Sequence, residues 1–298
     1  MVTVEMGTSQ DITIVTAPKV YLVGKQTLQS DELDRFLADH GVSWQSDSEV
    51  AAEVVTESAG RICYMSFAKP RPGGNAAYLR HILEVGHGSV LEHAVWNFVI
   101  TGVSRTLTHE LVRHRSGWAY SQLSQRYVDE SVAEYVEPDI IAADPELHAI
   151  WLDAVGHAHA AYVKLAEALN AKLADPSTAA AAAIPPDADR TTRRKAARQA
   201  ARSVLPNATE TKISVTANAR ALRHFLEQRG SVHAEPEIRK LANAMLDLLV
   251  AESPNLFGDY EKVPLPDGTY DLRTPTARCK QTAGRLTTRT FPTDGAGT

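Results

Sequence analysis

From Asp11 to Val23, apolar residues fall at Ile12, Ile14, Val15, Val20 and Leu22, a near-alternation that predicts strands turning at Pro18. The period then changes. Leu33, Phe36 and Leu37 recur at helical spacing behind Ser30, a residue type that caps a first turn, and Gly41 is placed to stop the helix. Ala51 to Ser58 also predicts helix. The cluster Lys69-Pro70-Arg71-Pro72-Gly73-Gly74 breaks the chain before Asn75, after which Tyr78, Leu79, Ile82 and Leu83 mark a helix ending near Gly86. Ala94 to Val103 predicts a strand, and Ser104 then caps a helix with Val103, Leu107 and Leu111 on one face.

A long helix follows from about Pro145 to Ala174, carried by Ile150, Trp151, Val155, Tyr162, Leu165 and Leu169. From Asp175 to Asp189 the pattern dissolves into an alanine run with Pro185-Pro186, which reads as a flexible surface insertion at about 175–189. Beyond it the spacing predicts a basic helix from Arg190 to about Val204, a strand from Glu210 to Thr216, and helices over about Asn218 to Arg229 and Pro236 to Glu252. Strands separated by blocks of helix, without internal repeats, indicate an α+β (mixed α/β) fold. The expected organisation is one domain over residues 1–278, with 279–298 as a frayed tail rich in Thr, Gly and Arg.

Composition narrows the function classes. At 44% hydrophobic and 22% charged, the chain can bury a sizeable core. A net charge of −5 gives no global attraction to nucleic acid or an anionic membrane, so a bound anion must be met by a local cluster. No stretch approaches the roughly 18 apolar residues of a membrane span. The start of the chain lacks the basic-then-apolar character of a leader, so the expected location is the cytoplasm. The two cysteines, Cys63 in an apolar, strand-like stretch and Cys279 in the tail, form no C-x-x-C motif and read as free thiols.

Arg105, His109 and Arg113 recur every four residues and would form one polar stripe opposite Val103, Leu107 and Leu111. Such a stripe either faces solvent or holds an anion. The stripe runs through Arg113-His114-Arg115 into Ser116-Gly117-Trp118-Ala119-Tyr120-Ser121-Gln122-Leu123-Ser124-Gln125-Arg126-Tyr127, a segment read as a loop dense in hydrogen-bonding side chains. That set suits a phosphate beside a polar heterocycle, because Arg offers a forked donor and Gln both donates and accepts. Arg190, Arg194, Arg198 and Arg202 form a second stripe, of which Arg190 and Arg194 are read as surface residues, whereas Arg202 abuts the Val204-Leu205-Pro206-Asn207 stop and lies near the core. Arg229 shares the inward arc of Leu222, Phe225 and Leu226, so it either caps its helix or meets a polar ligand. His109 and His114 mimic a zinc-protease helix, but their spacing places them ~140° apart, and no metal site is expected. His157 and His159 are read as surface residues.

Arg113-His114-Arg115 followed by Ser124-Gln125-Arg126-Tyr127 resembles the signature of the flavin-dependent thymidylate synthase family. The resemblance extends to Gly86-His87-Gly88-Ser89-Val90-Leu91-Glu92-His93, Leu205 to Thr211, Asn218-Ala219-Arg220 and Arg229 through Glu235, in family order. It covers roughly Val55 to Leu249. It implies a twisted, mainly antiparallel sheet packed with long helices, and a homotetramer with active sites at subunit interfaces. The implied ligands are FAD, a uracil nucleotide and methylenetetrahydrofolate, with NADPH as reductant, and the implied reaction is methylation at carbon 5 of dUMP or UMP.

Carried over by position, Ser89, Glu92, Arg113, His114, Arg115, Asn218, Arg220, His224 and His233 would hold FAD. His87 would sit at the flavin and folate edge. Arg105, Glu110, Gln122, Ser124, Arg126, Arg202 and Arg229 would hold the nucleotide, with Arg229 also steadying negative charge on the pyrimidine. Neither cysteine has a nearby His or helix N-terminus to make it a nucleophile. The family places seven residues between the Arg-His-Arg triplet and the serine, whereas Ser116 to Leu123 makes eight here. Read as a longer loop with Gly117 as its pivot, this leaves open the subgroup that methylates UMP in nucleoside antibiotic biosynthesis. The rival reading is a non-catalytic nucleotide- or RNA-binding protein using the same arginines, which would bind RNA with a steep salt dependence and hold no flavin.

Overall fold

The computed structural model describes residues 2–4, 12–68, 72–185 and 187–276. The first elements are β1 (Val2–Val4), β2 (Ile12–Val15) and β3 (Lys19–Lys25), the last two separated near Pro18 as the alternation predicts. Helix α1 (Ser30–Asp39) starts one residue earlier than a Ser30 cap requires: Gln29 holds the cap position without a side-chain bond, and Ser30 is the first helical residue. Helix α2 (Ala51–Ile62) is followed by α3 (Gly74–Val85), which closes on a left-handed Gly86. A 3₁₀ turn, Gly88–His93, leads into β4 (Val95–Ser104) and α4 (Arg105–Leu111).

Next come β5 (Trp118–Gln122), β6 (Glu134–Val136), α5 (Asp139–Ala142) and α6 (Pro145–Lys172). They are followed by α7 (Pro176–Ala181), α8 (Arg190–Ala201), β7 (Glu210–Asn218), α9 (Ala219–Arg229), α10 (Pro236–Glu252) and α11 (Pro254–Phe257). A hairpin of β8 (Glu261–Pro264) and β9 (Tyr270–Arg273) ends the described chain.

The fold is α+β, as the sequence predicts. Its centre is a four-stranded antiparallel sheet in the order β3-β4-β7-β5. A second sheet, β1-β2-β6, is antiparallel between β1 and β2 and parallel between β2 and β6. One face of the central sheet is apolar because β4 turns Trp96, Phe98 and Ile100 the same way, and β7 adds Ile213, Val215 and Ala217. These pack in one cluster with Leu222, Phe225 and Leu226 of α9 and Ile238, Leu241, Met245 and Leu249 of α10. No helix among the described residues is long and apolar enough to cross a membrane.

The end of β4 is where sheet becomes site. Its register with β7 shifts between Ile100 and Val103. Inside this bulge Gly102 has φ 69°, and a Cβ there would come within 2.5 Å of the Ala17 carbonyl oxygen. Its N–H donates to Glu210 Oε1 at 2.8 Å. The chain then turns directly into α4, where Ser104 Oγ accepts from the Leu107 N–H at 3.0 Å. Glu237 of α10 accepts from both the backbone N–H and the hydroxyl of Ser104, each at 2.7 Å. Arg105 is thereby fixed as the first residue of its helix.

Several sequence readings change on the structure. Cys63 is not in a strand; it is the exposed C-terminal cap of α2. His159 is not a surface residue: it is 4% exposed and bonds the Tyr135 hydroxyl through Nδ1 at 2.9 Å, because α6 lies with this face on β6. His157 is exposed. The alanine-rich stretch contains α7, capped by Asp175, and buries Ala179 and Ile184 against Leu173 and Ala197. Cys279 and the tail lie outside the described residues, as do Lys69 to Arg71 of the Pro/Gly cluster.

Burial of whole charged groups marks the region where α9 and α10 meet the C-terminal hairpin. Arg239, 4% exposed, donates to Thr269 Oγ1 at 2.7 Å, to the carbonyls of Val232 at 2.9 Å and Ala234 at 2.7 Å, and to the Asp267 carboxylate. Replacing it with Met would leave those acceptors and a carboxylate without a donor. We expect Arg239→Met to lose about 3–5 kcal/mol in urea unfolding; a loss below about 1 kcal/mol would show that the network relaxes onto water.

Candidate active site

Helices α4 and α9 start from opposite ends of the β4–β7 pair, since Ser104 opposes Glu210 at one end and Val95 opposes Asn218 at the other. Their C-terminal ends meet. Arg229, the last residue of α9, donates from Nη1 to Glu110 Oε2 of α4 at 2.5 Å and from Nε to His114 Nε2 at 3.1 Å. A cation at a helix C-terminus also offsets the partial negative charge of the unpaired carbonyls there. Arg229 thus meets a carboxylate and an imidazole of its own chain, from α4 and the turn after it.

The chain between α4 and β5 wraps this contact. α4 ends at Leu111, so Arg113 lies beyond the helix, and the expected stripe breaks up: Arg105 is half-buried, while His109 and Arg113 are exposed. The segment read as a loop contains a strand at its centre. Trp118 to Gln122 pairs with Ala217 to Ile213, and Trp118, Tyr120 and Gln122 share the inner face of β5. Trp118 and Tyr120 stack with ring centroids 5.7 Å apart, and the Tyr120 hydroxyl donates to the carbonyls of Leu111 at 2.9 Å and His114 at 2.6 Å. Burial raises the Tyr120 hydroxyl above its ordinary range. Gly117 is not a free pivot. With φ 75° it enters the strand so closely that a Cβ would sit 2.7 Å from Asn218 Nδ2 and 2.9 Å from the Ala221 methyl. The eight-residue segment is therefore held in register against β7, leaving little slack for a closing loop.

His114 packs against Phe225, His224 and Trp118, at centroid distances of 5.3, 5.8 and 6.2 Å. Burial, followed by the neighbouring charges of Arg229 and His224, depresses its pKa to about 4. The imidazole is neutral at physiological pH. It lines a cavity of about 850 Å³ together with Glu92, Arg113, Arg115, Asn218, Arg220, His224 and Arg229. Apolar walls come from Ile82, Leu83, Leu91 and Trp118. Arg220 bonds Glu92 across the mouth at 2.6 Å, and Asn218 caps α9 by accepting from the Ala221 N–H at 2.9 Å. The combination of guanidiniums, imidazoles and a flat apolar wall fits a ligand with an anionic arm and an aromatic heterocycle, which is the chemistry of a flavin nucleotide.

A second polar cluster forms around the other end of α4. Among the described residues, four buried side-chain atoms lack a hydrogen-bond partner: Arg105 Nη1, Gln125 Nε2, Arg126 Nε and Glu130 Oε1. Three are donors. Arg105 faces Glu130 and Arg202, and its burial lowers its pKa, opposed by Glu130 and assisted by Arg202. Buried donors without acceptors cost about 1–3 kcal/mol each, so this cluster fits an anionic ligand.

A family model described as thymidylate synthase complementing protein matches residues 47–255. The flavin-dependent thymidylate synthase of Mycolicibacterium gilvum (strain PYR-GCK) is 52% identical over 244 residues, covering 81% of this chain and 92% of that protein. The chain belongs to this family. The enzyme of the same name from Mycobacterium marinum (strain ATCC BAA-535 / M) is 46% identical over 265 residues, 88% of this chain and 98% of its own length. That from Mycobacterium bovis (strain BCG / Pasteur 1173P2) is 49% identical over 244 residues, 81% and 92% respectively.

The positions singled out by resemblance to flavin-dependent thymidylate synthases divide into two groups. Glu92, Arg113, His114, Arg115, Asn218, Arg220, His224 and Arg229 line the cavity, with Glu110 bonded to Arg229 at its wall. Arg105, Gln122, Ser124, Arg126 and Arg202 do not line it. Gln122 instead bonds Thr108 Oγ1 at 3.1 Å and Thr211 Oγ1 at 3.3 Å. His87, Ser89 and His233 are exposed and stand outside the lining, although Gly86 and Gly88 are part of it. Sequence reasoning missed Trp118 as a wall, although Trp118-Ala119-Tyr120-Ser121-Gln122 alternates with period two. It also missed Gln125, Glu130 and Arg223. Gln125 lay unassigned within the motif, while Glu130 and Arg223 carry no local signal of their burial.

The neutrality of His114 has a consequence for stability. With a folded pKa of about 4 against an ordinary 6.5, the unfolded chain binds a proton between those values that the folded chain does not. This contribution is intact above about pH 6.5 and is lost as pH falls toward 4, by as much as ~3 kcal/mol. Urea unfolding of wild type and His114→Gln over pH 7 to 4 should show a shallower loss in the variant; parallel slopes would mean that the imidazole titrates normally.

Proposed function

We propose that this chain methylates carbon 5 of a uracil nucleotide, with FAD in the cavity, methylenetetrahydrofolate as the carbon donor and NADPH as the reductant. The name carried by its relatives supports the reaction class, and Arg229, held between Glu110 and His114 at the wall of a cationic cavity, supports the site. Bound reduced flavin supplies the hydride chemistry that no side chain can.

The rest falls to this chain's own residues. Arg113, Arg115 and Arg220 offer donors and positive charge to a diphosphate. Trp118, Leu83 and Leu91 exclude water on the apolar side, which strengthens every charge interaction inside. Arg229 presents a guanidinium to the pyrimidine, where negative charge accumulates when carbon 5 becomes nucleophilic. Arg105, Arg126 and Gln125 meet the nucleotide phosphate through their unpaired buried donors, and Arg202, beside Arg105, adds positive charge. Gln122 and Ser124 complete the nucleotide side; Ser89, His224 and His233 complete the flavin side, and His87 lies at the folate edge. Cys63 has no part in this scheme, since it ends α2 in solvent and does not line the cavity.

Arg105 and the Arg229–Glu110 contact lie at opposite ends of α4, and several assigned residues are exposed. A site completed by neighbouring subunits in a homotetramer accounts for both. A reaction that draws on a nucleotide, a folate and NADPH supports a cytoplasmic location. The non-catalytic RNA-binding alternative is disfavoured, because the guanidiniums line a cavity instead of a continuous surface stripe, on a chain of net charge −5.

Purified protein should carry or take up FAD stoichiometrically, with retention weakened in Arg115→Ala. Arg229→Ala should lower kcat by about 10²–10³-fold, with Arg229→Lys recovering only part because a point charge lacks the fork. Full flavin content in Arg115→Ala together with wild-type turnover in Arg229→Lys would contradict the assignment.

A further inference from the structure

Arg229 has five N–H bonds on three nitrogens, and the structure accounts for two of those nitrogens. Nε donates to His114 Nε2 and Nη1 to Glu110 Oε2, while no acceptor within the described residues is shown for Nη2. Two contacts at different nitrogens of a planar group fix the orientation of its plane, whereas either alone leaves it free to swivel. Glu110 reaches Arg229 from α4, and His114 from the turn that follows α4.

The donor direction decides the state of the imidazole. A guanidinium N–H can only donate, so His114 Nε2 must carry its lone pair. In the neutral ring the proton then resides on Nδ1. The charged and titratable groups around the ring agree: α9 contributes Arg229 and His224, β5 contributes the aromatic Trp118, and Glu110 is engaged by Arg229. Of the other carboxylates lining the cavity, Glu92 and Glu227, neither is among the charges that shift the ring, and Glu92 is paired to Arg220. None of these favours an imidazolium. Protonation would set two cations at hydrogen-bond distance with no acceptor between them, and Arg229 would lose one of its two anchors.

We propose that His114 is a positioning residue for Arg229: a neutral imidazole with its proton on Nδ1, whose Nε2, together with Glu110, sets the plane of the guanidinium and leaves its Nη2 edge to the pyrimidine. This rests on the reading that Arg229 meets a uracil ring, and it differs from assigning His114 to flavin retention alone. The role requires an acceptor at the position of Nε2, not a ring. Gln can supply one with its amide oxygen; Ala cannot.

The test has two arms on the flavin-loaded wild-type chain and its variants. In the first, nitrogen-15 NMR of the imidazoles, with His114 assigned by its absence in His114→Gln or His114→Ala, should show a neutral ring protonated at Nδ1 throughout pH 5 to 8. A ring protonated at Nε2, or one that titrates near the ordinary histidine value, overturns the proposal whether or not the chain turns over any substrate. If wild type has this tautomer but no methylation, the functional reading fails while the Arg229 anchor stands.

In the second arm, kcat and nucleotide KM are measured with FAD in saturating excess. His114→Ala should lose about 10²-fold in kcat, with KM changed by only a few-fold and no recovery from added FAD. His114→Gln should retain turnover to within about tenfold of wild type. Equal losses in the two variants, or recovery of His114→Ala by excess FAD, would reduce His114 to a flavin contact.

Discussion

The contact between Arg229 and Glu110 ties together the parts of this molecule that matter for chemistry. Each belongs to a helix launched directly from a strand: α4 from β4 and α9 from β7, with no intervening loop to absorb error. Because β4 and β7 are antiparallel, the two helices start far apart and only their C-terminal ends can meet. The ion pair at 2.5 Å is where they do. Its placement depends on the register of one strand pair, on the bulge at Gly102 and on the cap at Ser104, which together decide where α4 begins. A slip of one residue in that register would turn Trp96, Phe98 and Ile100 out of the core. The hydrophobic sheet face thus protects the geometry of the polar site.

Between the two helices the chain makes a turn, Arg113 to Gly117, and returns as β5. The turn carries the arginines and the strand carries the aromatic wall. Here the need for a tight connection and the need for cationic groups coincide. Gly117 is pressed against Asn218 and Ala221, so the cationic turn is pinned to the cap of the very helix that supplies Arg220, His224 and Arg229. His114, half-buried in that turn, stays neutral and accepts from Arg229 where a second cation would repel it.

Much of the fold was legible because its elements bury one face each. The alternation before and after Pro18, the helical stripe of α10 and the Ser104 cap all predict what the structure shows. What escaped were elements whose signal is short or polar. β5 was obscured by a run of hydrogen-bonding residues, and β6, β8 and β9, at three or four residues each, are too short for periodicity to stand out. His159 was misread because its burial depends on β6, an element that sequence alone did not reveal. The site was legible as a motif and not as a shape. Residue identity marked Arg113, His114 and Arg115, yet nothing local to Glu110 and Arg229, 119 positions apart, says that they touch. Glu130 and Arg223 were invisible for the same reason: their burial is a property of the packed sheet and helices.

The central claim, that this cavity and the arginines beside it serve substitution at carbon 5 of a uracil nucleotide, is most directly tested by release of tritium into water from dUMP and UMP labelled at that carbon. The flavin-loaded chain should release label when supplied with methylenetetrahydrofolate and NADPH, from one nucleotide or both, and the ratio of rates reports the sugar preference. Folded, flavin-loaded protein that releases no tritium from either nucleotide would contradict the account.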